Sequence, residues 1–161
     1  MSSASVGVLE SIRGLLVEAG VEFRELEHEP TLTSEDSARV RGEPLSVGAK
    51  ALLLKVDDGF GLFILSADQK LDSSAIKRHL SAKKIRFATP EELWELTRLT
   101  PGSVPPFGRP ILSFELWADV GVGKSQGRVA FNAGSLTHSL ILATADWERV
   151  AAPRRFAFAK P

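Results

Sequence analysis

Lys50 stands at the mouth of a strongly apolar run, VGAKALLLK. An ammonium group there loses hydration unless an anion compensates, the pattern of a cationic anchor for phosphate or carboxylate. The same pattern suits a lysine whose stem follows the strand while its head reaches water. Lys55, beside Asp57 and Asp58 at the far end of the run, fits that second description better. A second grouping is LTPGSVPPFG, residues 99–108, with three prolines and two glycines. Proline fixes φ and removes a donor, while glycine lets a ligand approach the backbone closely. The amides near Gly102 and Ser103 can thus be held in one orientation, as needed to polarise an acyl carbonyl. A stiff connector between a helix and a strand would use the same residues. The third grouping is NAGSLTHSL, where Asn132, Ser135, Thr137, His138 and Ser139 crowd one turn. Serine near histidine is the raw material of an activated nucleophile, but no acidic orienter is evident, and such side chains also satisfy the backbone of a turn.

What is missing narrows the chemistry. The chain has no cysteine, which removes thiol nucleophiles, thiolate metal sites and disulfides together. It contains no P-loop, no GxGxxG after a strand, no HExxH and no GxSxG. Its three histidines, His28, His79 and His138, are far apart, and the expectation is no metal and no cofactor. Twenty basic residues balance twenty acidic ones, which lacks the overall footprint of a duplex-binding protein. Any nucleic-acid contact must be local. IKRHLSAKKIR gathers Lys77, Arg78, His79, Lys83, Lys84 and Arg86 without an acid, either as a phosphate-docking patch or as a solvated face.

These groups need a framework. The 161 residues suit a single domain over 1–161, and 43% hydrophobic residues in short punctuated runs suit a globular chain without a membrane span. The N-terminal MSSASVGVLESIR is not patterned as a signal peptide, and the expected location is cytoplasmic. Leu9, Ile12, Leu15 and Leu16 predict an amphipathic helix over Val6 to Ala19, closed at Gly20. VEFREL reads as a strand, and TSEDSARVRG as a short helix capped by Thr33 and ended by Gly42. AKALLLKV and FGLFILSA, joined at Asp57-Asp58-Gly59, predict a hairpin in the middle of a sheet. DSSAIKRHL reads as a helix capped by Asp72, KIRFA as a strand, and TPEELWEL as a helix with Thr89 as cap and Pro90 in first position. Beyond the proline segment, PILSFEL, RVAFNA and SLILAT read as strands, and TADWERV as a short helix capped by Thr144. The expected fold class is α+β, a mixed and mostly antiparallel β-sheet surrounded by helices.

The succession HEPTLTSEDSARVRG, VGAKALLLK, FILSADQKLD, ATPEEL, LTPGSVPPFG and FNAGSLTHSL resembles the YbaK family of prolyl-tRNA-synthetase-associated editing domains, from about Val21 to Val150. The resemblance implies a free-standing trans-editing deacylase that hydrolyses the ester of a mischarged aminoacyl-tRNA, above all tRNA for proline. Lys50 matches the family lysine that holds the terminal adenosine and its phosphate. Gly102 opens the GxxxP loop, Gly102 to Pro106, whose amide faces the substrate carbonyl. His138 falls where some branches carry a substrate-positioning histidine. The resemblance further implies that the tRNA's own terminal 2′-hydroxyl replaces a protein nucleophile, in keeping with the absent cysteine and triad.

On that resemblance, Lys50, Gly102 and His138 are the expected catalytic residues. The pocket would be built by Thr31, Leu32 and Val47, by Ser103, Val104, Pro105 and Phe107 of the proline loop, and by Asn132, Ala133, Gly134 and Ser135 of the glycine-containing turn. It would admit a small side chain such as alanine, serine or threonine. Lys77, Arg78, Lys83 and Lys84 would dock the tRNA. The implied partner is the 3′ CCA end of a mischarged aminoacyl-tRNA, with prolyl-tRNA synthetase or an elongation factor as further partners and no membrane. Ala51 departs from branches with a polar residue after the lysine. The competing reading is a non-catalytic adaptor that binds aminoacyl-tRNA or the synthetase.

Overall fold

Leu9, Ile12 and Leu16 recur at helical spacing, and all three are buried on the face by which α1 (Ser3–Glu18) packs. The computed structural model describes residues 3–161. Gly20 N–H donates to Val17 O and Val21 N–H to Leu16 O, with Gly20 at φ 71°, so the helix ends in the left-handed closure its glycine predicts. There follow β1 (Phe23–Glu27) and α2 (Ser34–Arg41), the latter capped by the Thr33 side chain accepting from Asp36 N–H. A 3₁₀ turn (Leu45–Val47) leads into β2 (Ala49–Val56), and a two-residue turn returns the chain as β3 (Gly59–Ser66). Then come α3 (Ser73–Leu80), β4 (Ile85–Phe87) and α4 (Pro90–Thr97), whose Thr89 and Glu92 form the capping box the sequence announces. The proline loop separates these from β5 (Leu116–Asp119), β6 (Arg128–Asn132), β7 (His138–Ala143), α5 (Thr144–Ala151) and β8 (Arg154–Phe156).

The strands make two sheets rather than one. β1-β7-β6 is antiparallel throughout; β4-β2-β3-β5-β8 is antiparallel across β4, β2 and β3 and parallel across β3, β5 and β8. The α+β, mostly antiparallel character read from the sequence therefore holds, with the hairpin at the centre of the larger sheet. One hydrophobic cluster joins both sheets: Leu53, Leu62 and Ile64 face Val129, Phe131, Leu140 and Leu142, with Ile12, Leu16, Leu93 and Trp147 closing it from the helices. A second lies on the other face of the larger sheet, where Leu54, Phe63 and Leu65 pack against Ile76 of α3 and Phe158. Burying each such side chain stabilises the fold by about 1.5–3 kcal/mol.

Two sequence expectations are corrected and one strand was not anticipated. PILSFEL is not a strand: Ile111 and Leu112 N–H both donate to Gly108 O, the chain turns, and pairing starts only at Leu116. Thr144 does not cap α5; its hydroxyl donates to Gly123 O at 2.7 Å, and Ala143 holds the cap position without a side-chain bond. The strand β8 has no counterpart in the sequence reading. It is held beside β5 by Arg155, which donates to Asp119 O and Val122 O.

Candidate active site

Alternation along β2 sends Ala49, Ala51 and Leu53 toward the shared core and Lys50, Leu52 and Leu54 toward the α3 side. Lys50 reaches across that second face and donates to Gln69 O at 2.9 Å. It is half-buried, and loss of hydration lowers its pKa from the ordinary lysine value, with Glu35 and Asp68 pulling the other way. Lys50 lines a cavity of about 220 Å³ with Thr31, Leu32, Ser34, Ser37, Arg41, Ala51, Gly102, Val104 and Asn132. Among the described residues that line that cavity there is no carboxylate. Two cations therefore face a space that holds no acid, which favours an anionic or strongly dipolar occupant.

The cavity's rear wall is the outer face of the smaller sheet. Asn132 of β6 and Ser139 of β7 are direct cross-strand partners, and their side chains point away from the core that holds Phe131 and Leu140. Into this face reaches Arg41 from the last turn of α2. Its Nε donates to Ser139 Oγ at 2.9 Å and an Nη donates to Asn132 Oδ1 at 3.1 Å. Burial lowers the Arg41 pKa to about 10, against a smaller opposing pull from Glu43, so it stays cationic at neutral pH. Ser139 Oγ also donates to Asn132 Oδ1 at 3.2 Å, and His28 Nε2 lies 2.8 Å from the same hydroxyl. With Oδ1 taken by two donors, Asn132 Nδ2 must face the other way, and it donates to Gly102 O at 2.9 Å. Ser37 Oγ donates to Thr31 Oγ1 at 2.9 Å and completes the polar wall.

That last bond of Asn132 fastens the proline loop. Gly102 sits at φ 87°, a left-handed conformation that glycine adopts without strain. Ser103 is locked to Thr100, its N–H and Oγ both donating to Thr100 O, while its own carbonyl accepts from Gly134 N–H. Pro106 O accepts from the indole of the buried Trp147. Among the described residues, the amides of Gly102 and Val104 have no hydrogen-bond acceptor, and both residues line the cavity. The pair of open donors is thus Gly102 and Val104, not Gly102 and Ser103, because Ser103 closes its own turn.

Of the residues expected from the sequence, Lys50, Gly102, Thr31, Leu32, Val104 and Asn132 meet at this cavity, Leu32 as an exposed rim. Ser103, Pro105, Phe107 and Ala133 are buried behind the loop and the turn. Gly134, at φ 78°, docks the turn onto the loop. Val47 is fully buried against Ala130 and Ile141 and does not reach the cavity. His138 does not line it either: Ser135 and Thr137 hold its Nδ1, and its Nε2 lies 3.0 Å from Glu27 on the neighbouring strand. The sequence reading missed Arg41 and Ser37. Nothing local marks Arg41, since a cation in the last turn of a helix is what the macrodipole favours in any case. A smaller cavity of about 150 Å³ continues outward between β2 and α4, sharing Ala51, Leu52, Gly102 and Val104 and bounded by Phe87, Pro90 and Leu93.

Comparison with known proteins identifies the family and the fold. Residues 28–150 match the family described as the aminoacyl-tRNA editing domain, and the chain belongs to that family of aminoacyl-tRNA deacylases. The multifunctional Ser/Thr-tRNA deacylase ProXp-y of Escherichia coli (strain K12) is 41% identical over 145 residues, covering 86% of this chain and 85% of that protein. The prolyl-tRNA editing protein ProX of Acetoanaerobium sticklandii is 28% identical over 101 residues, 62% of each chain. Among solved structures, a candidate trans-editing enzyme for prolyl tRNA synthetase superposes with a TM-score of 0.77 at 23% identity, over 100% of this chain and 99% of that one, a likeness of fold.

Proposed function

We propose that the protein is a free-standing trans-editing deacylase that hydrolyses the ester between a small amino acid and the 3′-terminal ribose of a mischarged tRNA. The reading favours seryl and threonyl esters, after the relative that is 41% identical, with tRNA for proline among the carriers. What carries it is the pair of unpartnered loop amides, Gly102 and Val104, on the same acid-free cavity as Lys50.

In this mechanism Lys50 holds the phosphate of the terminal adenosine and so fixes the ester beside the loop. Water adds to the ester carbonyl, its proton leaving to solvent or by relay through the neighbouring 2′-hydroxyl, which accepts it while giving its own proton to the departing 3′-oxygen. The carbonyl oxygen gains negative charge and is met by the Gly102 and Val104 amides, already aimed by the prolines and by Asn132. The intermediate collapses, the bond from the acyl carbon to the 3′-oxygen breaks, and that oxygen takes up a proton. An aminoacyl ester is an activated group, and positioning with oxyanion stabilisation suffices without a protein nucleophile. A cavity of about 220 Å³ takes a small side chain, and shape excludes a ring more readily than it ranks small residues differing by a methyl group, a distinction of about 1–3 kcal/mol.

The test is loss of the aminoacyl ester from tRNA charged separately with serine, threonine, alanine and proline. Hydrolysis of serine and threonine with proline spared is the expected result. Tight binding without release of free amino acid would replace this reading with that of an adaptor.

A further inference from the structure

Lys50, Leu52 and Leu54 project from one face of β2, and the register of β4 places Phe87 opposite Leu54 on that same face. Lys50 and Phe87 are therefore separated by about 13 Å along the strand, at ~3.3 Å per residue. Phe87 is 57% exposed. A large bare ring on a short edge strand is a liability unless it has an occupant. It borders the outer cavity, which adjoins the Lys50 cavity along the shared Ala51, Leu52, Gly102 and Val104.

On its other side the strand runs back into a mainly basic hollow of about 380 Å³ lined by Lys55, Lys77, Lys83, Lys84 and Arg86, with Asp57 as its one acid among the described residues. The turn carrying Lys83 and Lys84 is pinned, since both amides donate to Asp57 Oδ1 at 2.9 Å. Arg86 is engaged by Glu92, whereas among the described residues Lys77, Lys83 and Lys84 have no carboxylate within ion-pair distance. Open cations, a bare aromatic ring and a cavity that adjoins the Lys50 cavity thus follow one another along β4. Alternating charge and stacking surface is how single-stranded nucleic acid is held without reading its sequence.

We propose that Phe87 is the stacking platform for a base of the single-stranded RNA end that precedes the terminal nucleotide, with Lys77, Lys83 and Lys84 taking its backbone phosphates. The proposal rests on the deacylase reading for the direction of the strand, from the lysines toward Lys50.

The experiment measures binding of a short uncharged single-stranded RNA ending in CCA to the full chain and to Phe87→Leu, Phe87→Tyr and Lys84→Ala, across a salt series. Phe87→Leu should weaken binding about tenfold, within the range for loss of one stacked base, and Phe87→Tyr should restore it. Lys84→Ala should flatten the plot of log K against log salt by about 0.7. In ester hydrolysis the Phe87→Leu loss should fall in KM. Equal binding by Phe87→Leu and the unaltered chain, or an equal loss in Phe87→Tyr, would overturn the proposal. If ester hydrolysis persists in that case, the deacylase reading stands alone. If binding depends on Phe87 and no ester is cleaved, the platform stands and the deacylase reading falls.

Discussion

At the scale of single residues the wall behind the candidate cavity is a chain of dependence: Arg41 and Ser139 fix the Asn132 amide, and Asn132 fixes Gly102. Arg41→Lys keeps the charge and loses the fork that reaches two acceptors. We expect kcat to drop about tenfold or more, and Asn132→Ala to add little on top of it, because the two act on one bond. A double-mutant cycle in ester hydrolysis checks this, with circular dichroism reporting the fold. Gly102→Ala forces a side chain into φ 87°, at a cost of about 1–2 kcal/mol, and moves the amide off its aim. Its kcat should fall by about one to two orders of magnitude. Lys50 gives a pH signature. Its pKa is lowered by burial, so RNA affinity should decline with rising pH before the ordinary lysine range near ~10.4, and Lys50→Arg should postpone that decline. For stability the sign is opposite: between the folded and unfolded pKa values the unfolded chain binds more protons, so stability rises with pH there. Lys50 was legible from the sequence because a charge in an apolar strand needs a reason. Arg41 was not, since nothing local separates a helix-end arginine in solvent from one driven into a pocket by a distant sheet.

At the scale of elements, local chemistry was most readable where it closes on itself. Thr33 and Thr89 cap their helices because the partners lie three residues away. Thr89→Ala should cost about 1 kcal/mol and lower Tm by about 2–4 °C. Glu92 is held at about 2, first by Arg86 and then by the Thr89 amide. Its contribution is complete above the ordinary carboxylate range and is lost as pH falls through about 2, so the stability difference between the unaltered chain and Glu92→Gln should shrink across that range on acid titration. Elements fixed from afar were misread. PILSFEL alternates like a strand, yet Gly108 O gathers two amides and curls it; Thr144 has a capping side chain, yet Gly123 O claims it. β8 was invisible because its arginines are accommodated by contacts the local sequence does not announce: Arg155 pairs with Glu148 of α5 and donates to Asp119 O of β5, and Arg154 lies over the Trp117 ring.

At the scale of the whole molecule, twenty positive and twenty negative charges leave little long-range field, and on the proposed reading attraction to RNA is confined to one face. The salt dependence of tRNA binding should accordingly be shallow. Three or four phosphate contacts on a single strand give a slope of roughly −2 to −3, and a much steeper slope would require a broad cationic surface. The α+β class could be read from the order of the elements, but the division into two sheets could not, because it depends on β1 crossing the chain to pair with β7. β4 pairs with β2 only from Leu54 to Val56, and Ala88 N–H takes Leu53 O, leaving the backbone of Ala51 open at the cavity. The polar floor there is made by stopping a strand early, and every residue type except proline would supply the same N–H and C=O. On the proposed reading a change at position 51 alters the side chain facing the cavity and leaves that backbone floor in place, so Ala51→Ser should shift the ranking of acyl groups hydrolysed without removing the oxyanion donors.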